Sequence, residues 1–307
     1  MPKKIKVTTY KPFAKEAVAR MKEIVETAGY EFEIFENYSE KEELLEAVKD
    51  VNALIVRSDK ITKEVIDNAP NLEIVVRGGA GYDNVDTNYA AEKDIIVMNT
   101  PGQNSNAVAE LTFGMMLYML RNQFQPAAGN ELRFKTLGVH GFGHVGKNIA
   151  RIAKGFDMDI YAYDPFLSDE DFEEEGVKKC ETVEELYKTC RFISLNIPDN
   201  EKTKGTINYD LMSLMPKDAM LVNAARKPII NEDDLLKIMD EREDFTFIAD
   251  VAPDCKDVFA EKFVNRYFFT PKKMGAQTLE ANINAAEAAA TQIVNYFKKG
   301  EIVNKVN

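Results

Sequence analysis

Short apolar runs alternate with amphipathic stretches along almost the whole chain. The apolar runs predict β-strands, and the stretches between them, such as 15–28 and 40–49, predict helices. This alternation is typical of α/β proteins with parallel sheets. The predicted strands span residues 5–10, 31–35, 53–57, 74–76, 95–99, 136–140, 159–163, 192–196, 219–223, 245–250 and 267–270.

Two predicted helices divide this pattern into two series of strands. A helix over 106–121 is apolar on most sides, which favours burial between domains or subunits. A last helix, about 278–299, follows the second series and can return to the first. The chain of 307 residues is long enough for two cores. We therefore predict two α/β domains with parallel sheets, in which residues 101–279 are inserted into a domain made of 1–100 plus 280–307.

The composition, with 45% hydrophobic and 29% charged residues, is that of a soluble globular protein. No stretch approaches the ~20 apolar residues of a membrane helix, and the N-terminus lacks the apolar core of a signal peptide. Cys180, Cys190 and Cys255 form neither a metal-binding spacing nor a disulfide framework. We therefore expect a cytoplasmic protein that needs no membrane and no metal.

The net charge of −12 argues against nucleic acid as a partner, because nucleic-acid binders usually carry a basic surplus. An acidic protein can still bind a small anion where cations cluster locally. The chain has two histidines, His140 and His144, and both lie in one glycine-rich stretch. A catalytic acid or base elsewhere in the chain must therefore be another type of residue.

The glycine-rich stretch has the spacing of a dinucleotide-binding loop. Gly141-x-Gly143-x-x-Gly146 follows a predicted strand and precedes a helix-like run, 147–154. Gly141 permits a tight turn, and Gly143 lets the backbone approach a pyrophosphate. Gly146 lets the helix pack closely on the strand, and the helix N-terminus favours the phosphate charge.

Asp164 ends the next predicted strand, near the spacing expected for a carboxylate that binds the adenosine ribose hydroxyls. An acid at this position repels a 2′-phosphate, and no arginine follows it closely, so NAD is favoured over NADP. The loop and the acid together predict a Rossmann NAD-binding domain. The alternative is a structural glycine turn in an unrelated α/β unit.

Further segments make the chain resemble the D-2-hydroxyacid dehydrogenases over nearly its whole length. A second glycine stretch, RGGAGYDNVD at 77–86, is similar to that family's loop in the substrate domain, and it suits backbone N–H groups that approach a ligand. The other matching segments are NTPGQN at 99–104, VAE at 108–110, NIP at 196–198, KG at 204–205, VNAAR at 222–226 and IADV at 248–251. The resemblance implies a flavodoxin-like substrate domain beside the Rossmann domain.

The resemblance also implies which residues bind the cofactor and the substrate. The expected NAD-binding residues are Gly141, Gly143, His144, Val145, Gly146, Asp164, Ile197, Ala224, Ala225, Asp250 and Gly275. The expected substrate-binding residues are Arg57, Ser58, Gly79, Ala80, Asn104 and Arg226.

The stretch TPKKMGAQT at 270–278 departs from the family pattern. Most members have Pro-His-Ile-Gly-Ala at the end of the last strand, and the histidine is catalytic. Alignment on Gly275 places Lys273 at the histidine position, whereas alignment on Pro271 selects Lys272. A subgroup of short phosphoglycerate dehydrogenases carries lysine there, and the chain resembles that subgroup.

A second departure concerns the glutamate that usually accompanies the family's histidine. Counting from Asp250 without gaps places Cys255 at its position, and whether the adjacent Asp254 replaces it stays open. A lysine that acts as a base near neutral pH needs its pKa lowered from ~10.4 to ~7–8. A neighbouring carboxylate would raise that pKa, so the loss of the glutamate is consistent with Lys273 as the acid–base group.

The resemblance implies hydride transfer between NAD and the hydroxyl-bearing carbon of a small anionic substrate. Arg226 is expected to bind the substrate carboxylate in a fixed fork, and Lys273 to exchange the hydroxyl proton. In the lysine subgroup the substrate is D-3-phosphoglycerate, which is oxidised to 3-phosphohydroxypyruvate on the way to serine. Arg57 and Ser58 are then the candidates for the phosphate.

Two other functions stay open at this point. One is a different 2-hydroxyacid dehydrogenase, which acts on hydroxypyruvate, glyoxylate or lactate. The other is a catalytically silent NAD-binding scaffold, because both the histidine and the glutamate are missing. The family habit and the apolar helix 106–121 also favour a homodimer.

Overall fold

The computed structural model describes residues 2–10 and 12–307 and divides the chain into two compact units. The first comprises Met1–Asn104 with Gln277–Asn307, and the second comprises Ser105–Ala276. Residues 101–104 and 277–279, which the sequence analysis assigned to the inserted domain, thus belong to the first unit. The assignment of residues 277–279 to the first unit has a local reason. The Thr278 hydroxyl caps the C-terminal helix by accepting the Ala281 N–H at 3.1 Å.

The first unit has a five-stranded parallel sheet with the strand order β2-β1-β3-β4-β5. Its strands are β1 (Lys4–Thr9), β2 (Glu31–Glu36), β3 (Ala53–Val56), β4 (Ile74–Arg77) and β5 (Ile96–Asn99). The chain direction across the sheet reverses between β1 and β3, which is the switch point of a flavodoxin-like fold. Ligands of such sheets bind outside the carboxyl ends of the strands at that point.

Helices cover both faces of this sheet. They are α1 (Lys15–Thr27), α2 (Lys41–Ala47), α3 (Lys63–Asp67), α4 (Thr87–Glu92) and the C-terminal helix (Leu279–Lys299). The C-terminal helix contributes fully buried Ala286, Ala289 and Ala290 to the core that α1 and the sheet also line. Such small side chains let a helix approach its neighbours closely.

The second unit has a seven-stranded parallel sheet with the order β12-β11-β10-β9-β6-β7-β8. The predicted strands of this unit are confirmed within a residue or two at their ends, whereas β8 was not predicted. Its strands are β6 (Thr136–His140), β7 (Asp159–Tyr163), β8 (Lys178–Lys179), β9 (Phe192–Leu195), β10 (Met220–Asn223), β11 (Thr246–Ala249) and β12 (Tyr267–Phe269). The chain direction reverses between β6 and β9, so a Rossmann switch point lies there.

The helices of this unit are α5 (Ser105–Leu120), α6 (His144–Gly155), α7 (Asp169–Glu174), α8 (Val183–Thr189), α9 (Tyr209–Ser213), α10 (Glu232–Glu241) and α11 (Lys256–Lys262). The apolar side chains of α5 are buried in the unit's own core, as Phe113, Met115 and Met116 show. Burial inside one unit therefore accounts for much of the apolar character that favoured a subunit interface. No helix in the described part of the chain has both the length and the apolar character needed to cross a membrane.

Candidate active site

The glycine loop, residues 141–146, joins β6 to α6 at the switch point of the seven-stranded sheet. Gly141 has a φ of 90°, a conformation that only glycine adopts without strain. A Cβ at Gly141 would lie 2.9 Å from the Asn196 carbonyl, and it would also press on Ile197. The turn out of β6 therefore requires glycine for two separate reasons.

The other two glycines shape the start of α6. A Cβ at Gly146 would lie only 2.4 Å from the Gly141 carbonyl oxygen, whereas a Cβ at Gly143 would meet no atom within 4 Å. The helix begins at His144 rather than at residue 147, so His144 and Val145 lie in its first turn. The N–H groups of a first turn lack acceptors within the helix. Open space beside Gly143 and these donors fit a pyrophosphate.

Asp164 follows β7 and faces the glycine loop. One carboxylate oxygen accepts the Phe142 N–H at 2.9 Å, and the other accepts the Phe166 N–H at 3.0 Å. A carboxylate has about four acceptor positions, so both oxygens can still accept ribose hydroxyls. Asp164 thus fixes the loop conformation in addition to the ribose-binding role predicted from the sequence.

His140 ends β6 and is buried, with 7% of its surface exposed. Its Nδ1 lies 3.3 Å from the Tyr187 hydroxyl. Burial lowers the pKa of His140 to about 4, although the Asp164 charge opposes this shift. His140 is therefore neutral at physiological pH and packs in the core beneath the loop.

Arg226 lies just beyond β10, at the carboxyl edge of the same sheet, and is exposed. The buried Asn223 fixes its backbone: the Asn223 amide donates to the Arg226 carbonyl at 2.9 Å and accepts the Ala225 N–H at 3.0 Å. This turn also contains the largely buried Ala224. The sequence analysis gave Asn223 no role, although a polar residue that ends an apolar strand signals such a hydrogen-bonding duty.

Asp250 directly follows β11 and is 2% exposed. Its carboxylate accepts the Met274 N–H at 2.7 Å and the Gly275 N–H at 2.8 Å. Asp250 therefore holds the lysine turn, residues 270–275, in place. A Cβ at Gly275 would lie 3.0 Å from this carboxylate, so glycine lets the two groups approach closely.

Thr270 fixes the other side of the lysine turn. Its hydroxyl lies 2.5 Å from the Asp250 carbonyl oxygen, which is its nearest acceptor, 2.9 Å from the Lys272 carbonyl oxygen and 3.0 Å from the Asp250 carboxylate. Asp250 thus holds the Gly275 end of the turn, and Thr270 holds the end at Lys272. Lys272 and Lys273 are both exposed, and the choice of Lys273 stays a prediction.

Asp254, beside the position of the missing glutamate, forms an ion pair with Lys227 that raises the pKa of Lys227. The N–H groups of Asp254 and Cys255 both donate to the Glu232 carboxylate, each at 2.9 Å. Burial and Glu232 raise the pKa of the Cys255 thiol to about 12, so it stays protonated. Asp254 is engaged by Lys227, and no cluster of metal-ligating side chains occurs within residues 2–10 and 12–307.

In the first unit, Arg57 directly follows β3, at the switch point of the five-stranded sheet. Its guanidinium is half-buried over the Phe13 ring, 5.6 Å from the centroid. Burial is the one cause that lowers the pKa of Arg57, and none of the described carboxylates forms an ion pair with it. The Arg77 Nε donates to the Arg57 carbonyl at 3.1 Å, and Ser58 beside it is half-buried.

The second glycine stretch follows β4 and is fixed by β5 and the residue after it. The Gly79 N–H donates to the Thr100 hydroxyl at 2.6 Å, and the Ala80 carbonyl accepts the Asn99 amide at 2.6 Å. Gly79 has a φ of 142° and leaves room for the Arg77 guanidinium, which a Cβ would meet at 1.7 Å. Asn104 is half-buried and is the last residue of this part of the first unit.

Comparison with known proteins assigns this arrangement to a group of enzymes. The family model described as D-isomer specific 2-hydroxyacid dehydrogenase, NAD binding domain, matches residues 107–266. A D-3-phosphoglycerate dehydrogenase of Methanocaldococcus jannaschii is 38% identical over 288 residues, which are 87% of this chain and 53% of that protein. The chain thus spans about half the length of this curated relative.

Two further proteins match the chain over more of their own length. A hydroxypyruvate reductase of Thermotoga maritima is 37% identical over 219 residues, which are 67% of this chain and 70% of that protein. The crystal structure of NAD+-bound 3-phosphoglycerate dehydrogenase from Entamoeba histolytica has a TM-score of 0.86 and 47% sequence identity. That match covers 100% of this chain and 99% of the other.

Proposed function

The chain belongs to the D-isomer-specific 2-hydroxyacid dehydrogenase family, and on this premise we propose that it oxidises D-3-phosphoglycerate to 3-phosphohydroxypyruvate with NAD. This reaction is an early oxidative step toward serine. The observation that carries the proposal is the Arg57 guanidinium, half-buried and without an ion-pair partner among the residues that the structure describes. A cation of this kind at a switch point suits a phosphate.

The second unit holds the cofactor in this proposal. NAD supplies the hydride acceptor when it is bound. The first turn of α6 and the open space at Gly143 bind its pyrophosphate, and Asp164 accepts the ribose hydroxyls. Ile197, Ala224 and Ala225 belong to the loops after β9 and β10, at the same edge of the sheet, and line the cofactor site.

The second unit also orients the substrate and handles its proton. Arg226 binds the carboxylate through its planar fork, which holds the hydroxyl-bearing carbon in one orientation. Lys273 takes the hydroxyl proton during oxidation and returns it during reduction. The Asp250 carboxylate fixes the backbone beside Lys273 through Met274 and Gly275, which fixes the point from which the lysine side chain extends.

The first unit supplies the phosphate-binding residues. The Arg57 guanidinium and the Ser58 hydroxyl bind the phosphate. The Ala80 N–H and Asn104 meet the carboxylate end, while the bond from the Gly79 N–H to Thr100 fixes the backbone beside them. A guanidinium that is already partly desolvated loses less hydration when an anion arrives, so a negatively charged protein can still hold an anionic substrate. We also propose a homodimer in solution, which light scattering after size-exclusion chromatography tests directly.

The rival reading is a hydroxypyruvate reductase, as in the Thermotoga maritima relative. Hydroxypyruvate carries the same carboxylate and keto group without the phosphate, so the two readings differ only in the role of Arg57. A silent scaffold differs from both, because it would bind NADH without oxidising it in the presence of any 2-oxo acid.

The test measures NADH oxidation with 3-phosphohydroxypyruvate, hydroxypyruvate and glyoxylate. We expect a strong preference for the phosphorylated substrate, and a rise of its KM on the order of hundredfold in Arg57→Ala. The matched control is Arg20→Ala, because Arg20 is exposed on α1 and pairs with Glu23 and Glu287. Equal turnover of phosphorylated and unphosphorylated substrates would contradict the proposal.

A further inference from the structure

Asp59 follows the phosphate-binding pair Arg57 and Ser58 but points the other way. Its side chain is 1% exposed, whereas the next residue, Lys60, is exposed. An acid so near a phosphate site would compete with the phosphate for the Arg57 guanidinium if it paired with that group. Its burial therefore calls for an explanation.

The carboxylate of Asp59 receives donors from three loops at the carboxyl edge of the first sheet. One oxygen accepts the Tyr10 N–H at 2.9 Å and the Tyr38 hydroxyl, and the other lies 3.3 Å from the Ser58 N–H. Tyr10 follows β1 and Tyr38 follows β2, while Asp59 itself follows β3. The bond to Tyr10 therefore crosses the switch point between β1 and β3.

A fourth loop reaches the backbone of the same residue. The Asn84 amide donates to the Asp59 carbonyl at 2.7 Å, and the Ile61 N–H donates to the Asn84 carbonyl at 2.8 Å. Asn84 lies in the second glycine stretch, between β4 and α4. Asp59 thus joins the segments that follow β1, β2 and β4 to the loop after β3 that carries Arg57.

Because other groups donate to Asp59, the Arg57 guanidinium does not pair with it and can bind the phosphate. Asp59 forms no ion pair with Arg57 among the described residues, although the two are close in sequence. Burial and the hydrogen bond to Asp59 raise the pKa of Tyr38, so its hydroxyl stays a donor at physiological pH. The buried carboxyl group is thus hydrogen-bonded by neutral donors rather than paired with the nearest cation.

We infer that Asp59 is a positioning residue that holds the Arg57–Ser58 loop in the conformation that binds the substrate phosphate. This inference rests on the proposed function, since it assigns the phosphate to Arg57. Asp59 acts through Arg57 and Ser58 and touches no substrate atom. Its removal should therefore affect phosphate recognition and leave hydride transfer intact.

The test compares Asp59→Asn and Tyr38→Phe with the wild-type protein. The side-chain amide introduced by Asp59→Asn would bring its own N–H donors against the donors of Tyr10 and Tyr38, so the loop loses its anchor. We expect KM for 3-phosphohydroxypyruvate to rise on the order of tenfold in Asp59→Asn and less in Tyr38→Phe. We expect kcat, KM for NADH and kcat/KM for hydroxypyruvate to stay unchanged. The matched control is Asp67→Asn, because Asp67 accepts the Tyr89 hydroxyl at 2.6 Å on the exposed surface of the same unit.

A double-mutant cycle separates positioning from general destabilisation. If Asp59 acts through Arg57 and Ser58, Asp59→Asn has a much smaller effect on KM in the Arg57→Ala background than in the wild-type protein. An equal loss with phosphorylated and unphosphorylated substrates, or a full effect in that background, would overturn the inference alone. A wild-type protein that does not turn over 3-phosphohydroxypyruvate would overturn the proposed function and the inference with it. Should Asp59→Asn unfold in a thermal scan, Tyr38→Phe provides the same comparison.

Discussion

The glycine loop and the lysine turn lie at the carboxyl edge of the same sheet, and a carboxylate that follows another strand holds each of them, but the glycine loop depends more heavily on missing side chains. In the glycine loop the absence of side chains determines the conformation, since a Cβ at Gly146 would lie 2.4 Å from the Gly141 carbonyl oxygen. In the lysine turn a side chain that follows another strand determines the conformation, because the Asp250 carboxylate accepts two backbone N–H groups. A loop defined by missing side chains is visible as a spacing in sequence, whereas a turn defined by a distant partner is not.

The largest expected effect tests the lysine turn itself. Lys273→Ala should lower kcat about a thousandfold near neutral pH, because it removes the general acid–base group. Lys272→Ala is the matched control, since it removes an equal charge from the adjacent exposed position. Turnover is followed by NADH absorbance, and NADH binding by fluorescence. A larger loss in Lys272→Ala would identify Lys272, rather than Lys273, as the acid–base group.

The next effect tests the glycine loop. Gly146→Ala should weaken NADH binding about a hundredfold, because the new methyl group pushes α6 away from β6 and misplaces the pyrophosphate site. Gly155→Ala in the same helix is the control, since a Cβ there would meet no atom within 4 Å. Titration of NADH fluorescence measures both affinities. Equal binding by the two variants would show that close packing does not define the loop.

A smaller effect sharpens the role of the hydrogen bonds within the lysine turn. Thr270→Val removes the hydroxyl that lies 2.9 Å from the Lys272 carbonyl while it keeps the side-chain shape. We expect kcat to fall roughly tenfold with little change in NADH affinity, because one of the bonds that fix the turn is lost. Thr291→Val, at an exposed position of the C-terminal helix, should leave kcat unchanged.

A further prediction, on stability rather than on catalysis, concerns the strand that leads into the glycine loop. Burial lowers the pKa of His140 from 6.5 to about 4, so the folded state keeps it neutral while the unfolded chain takes up a proton. The free energy of unfolding should therefore fall by roughly 2 kcal/mol as the pH drops from about 7.5 to about 5. Urea titrations at both pH values should show a smaller difference in His140→Gln. The exposed His144→Gln should keep the wild-type difference.

The sequence predicted most of the two sheets, because short apolar runs between amphipathic stretches usually form buried strands. It missed β8, since Lys178–Lys179 is short and charged and has no apolar pattern. It placed the start of α6 near residue 147, because Gly146 is a poor helix former, whereas the helix begins at His144. Glycine is nevertheless required at residue 146, because a Cβ there would lie 2.4 Å from the Gly141 carbonyl oxygen.

The candidate site also contains residues whose role the sequence predicted and residues whose role only the structure shows. The glycine loop and Asp164 follow from spacing alone, and the structure brings them together through the Phe142 N–H. The duties of Asn223 and Asp250 did not follow, because each fixes a backbone segment whose identity only the fold reveals. A buried polar residue at the end of an apolar strand is the signal that both positions share.

The most direct test of the account is the pH dependence of kcat/KM for reduction of 3-phosphohydroxypyruvate, compared among wild type, Lys273→His and Lys272→His. Reduction needs a protonated acid, so the rate falls as that group loses its proton. A histidine ordinarily titrates near ~6.5, well below a lysine. We predict that the pH at which kcat/KM begins to fall, the falling limb of the pH profile, moves to lower pH in Lys273→His and stays in place in Lys272→His. A limb that stays in place in Lys273→His, or moves in Lys272→His, would contradict the assignment of Lys273 as the proton donor.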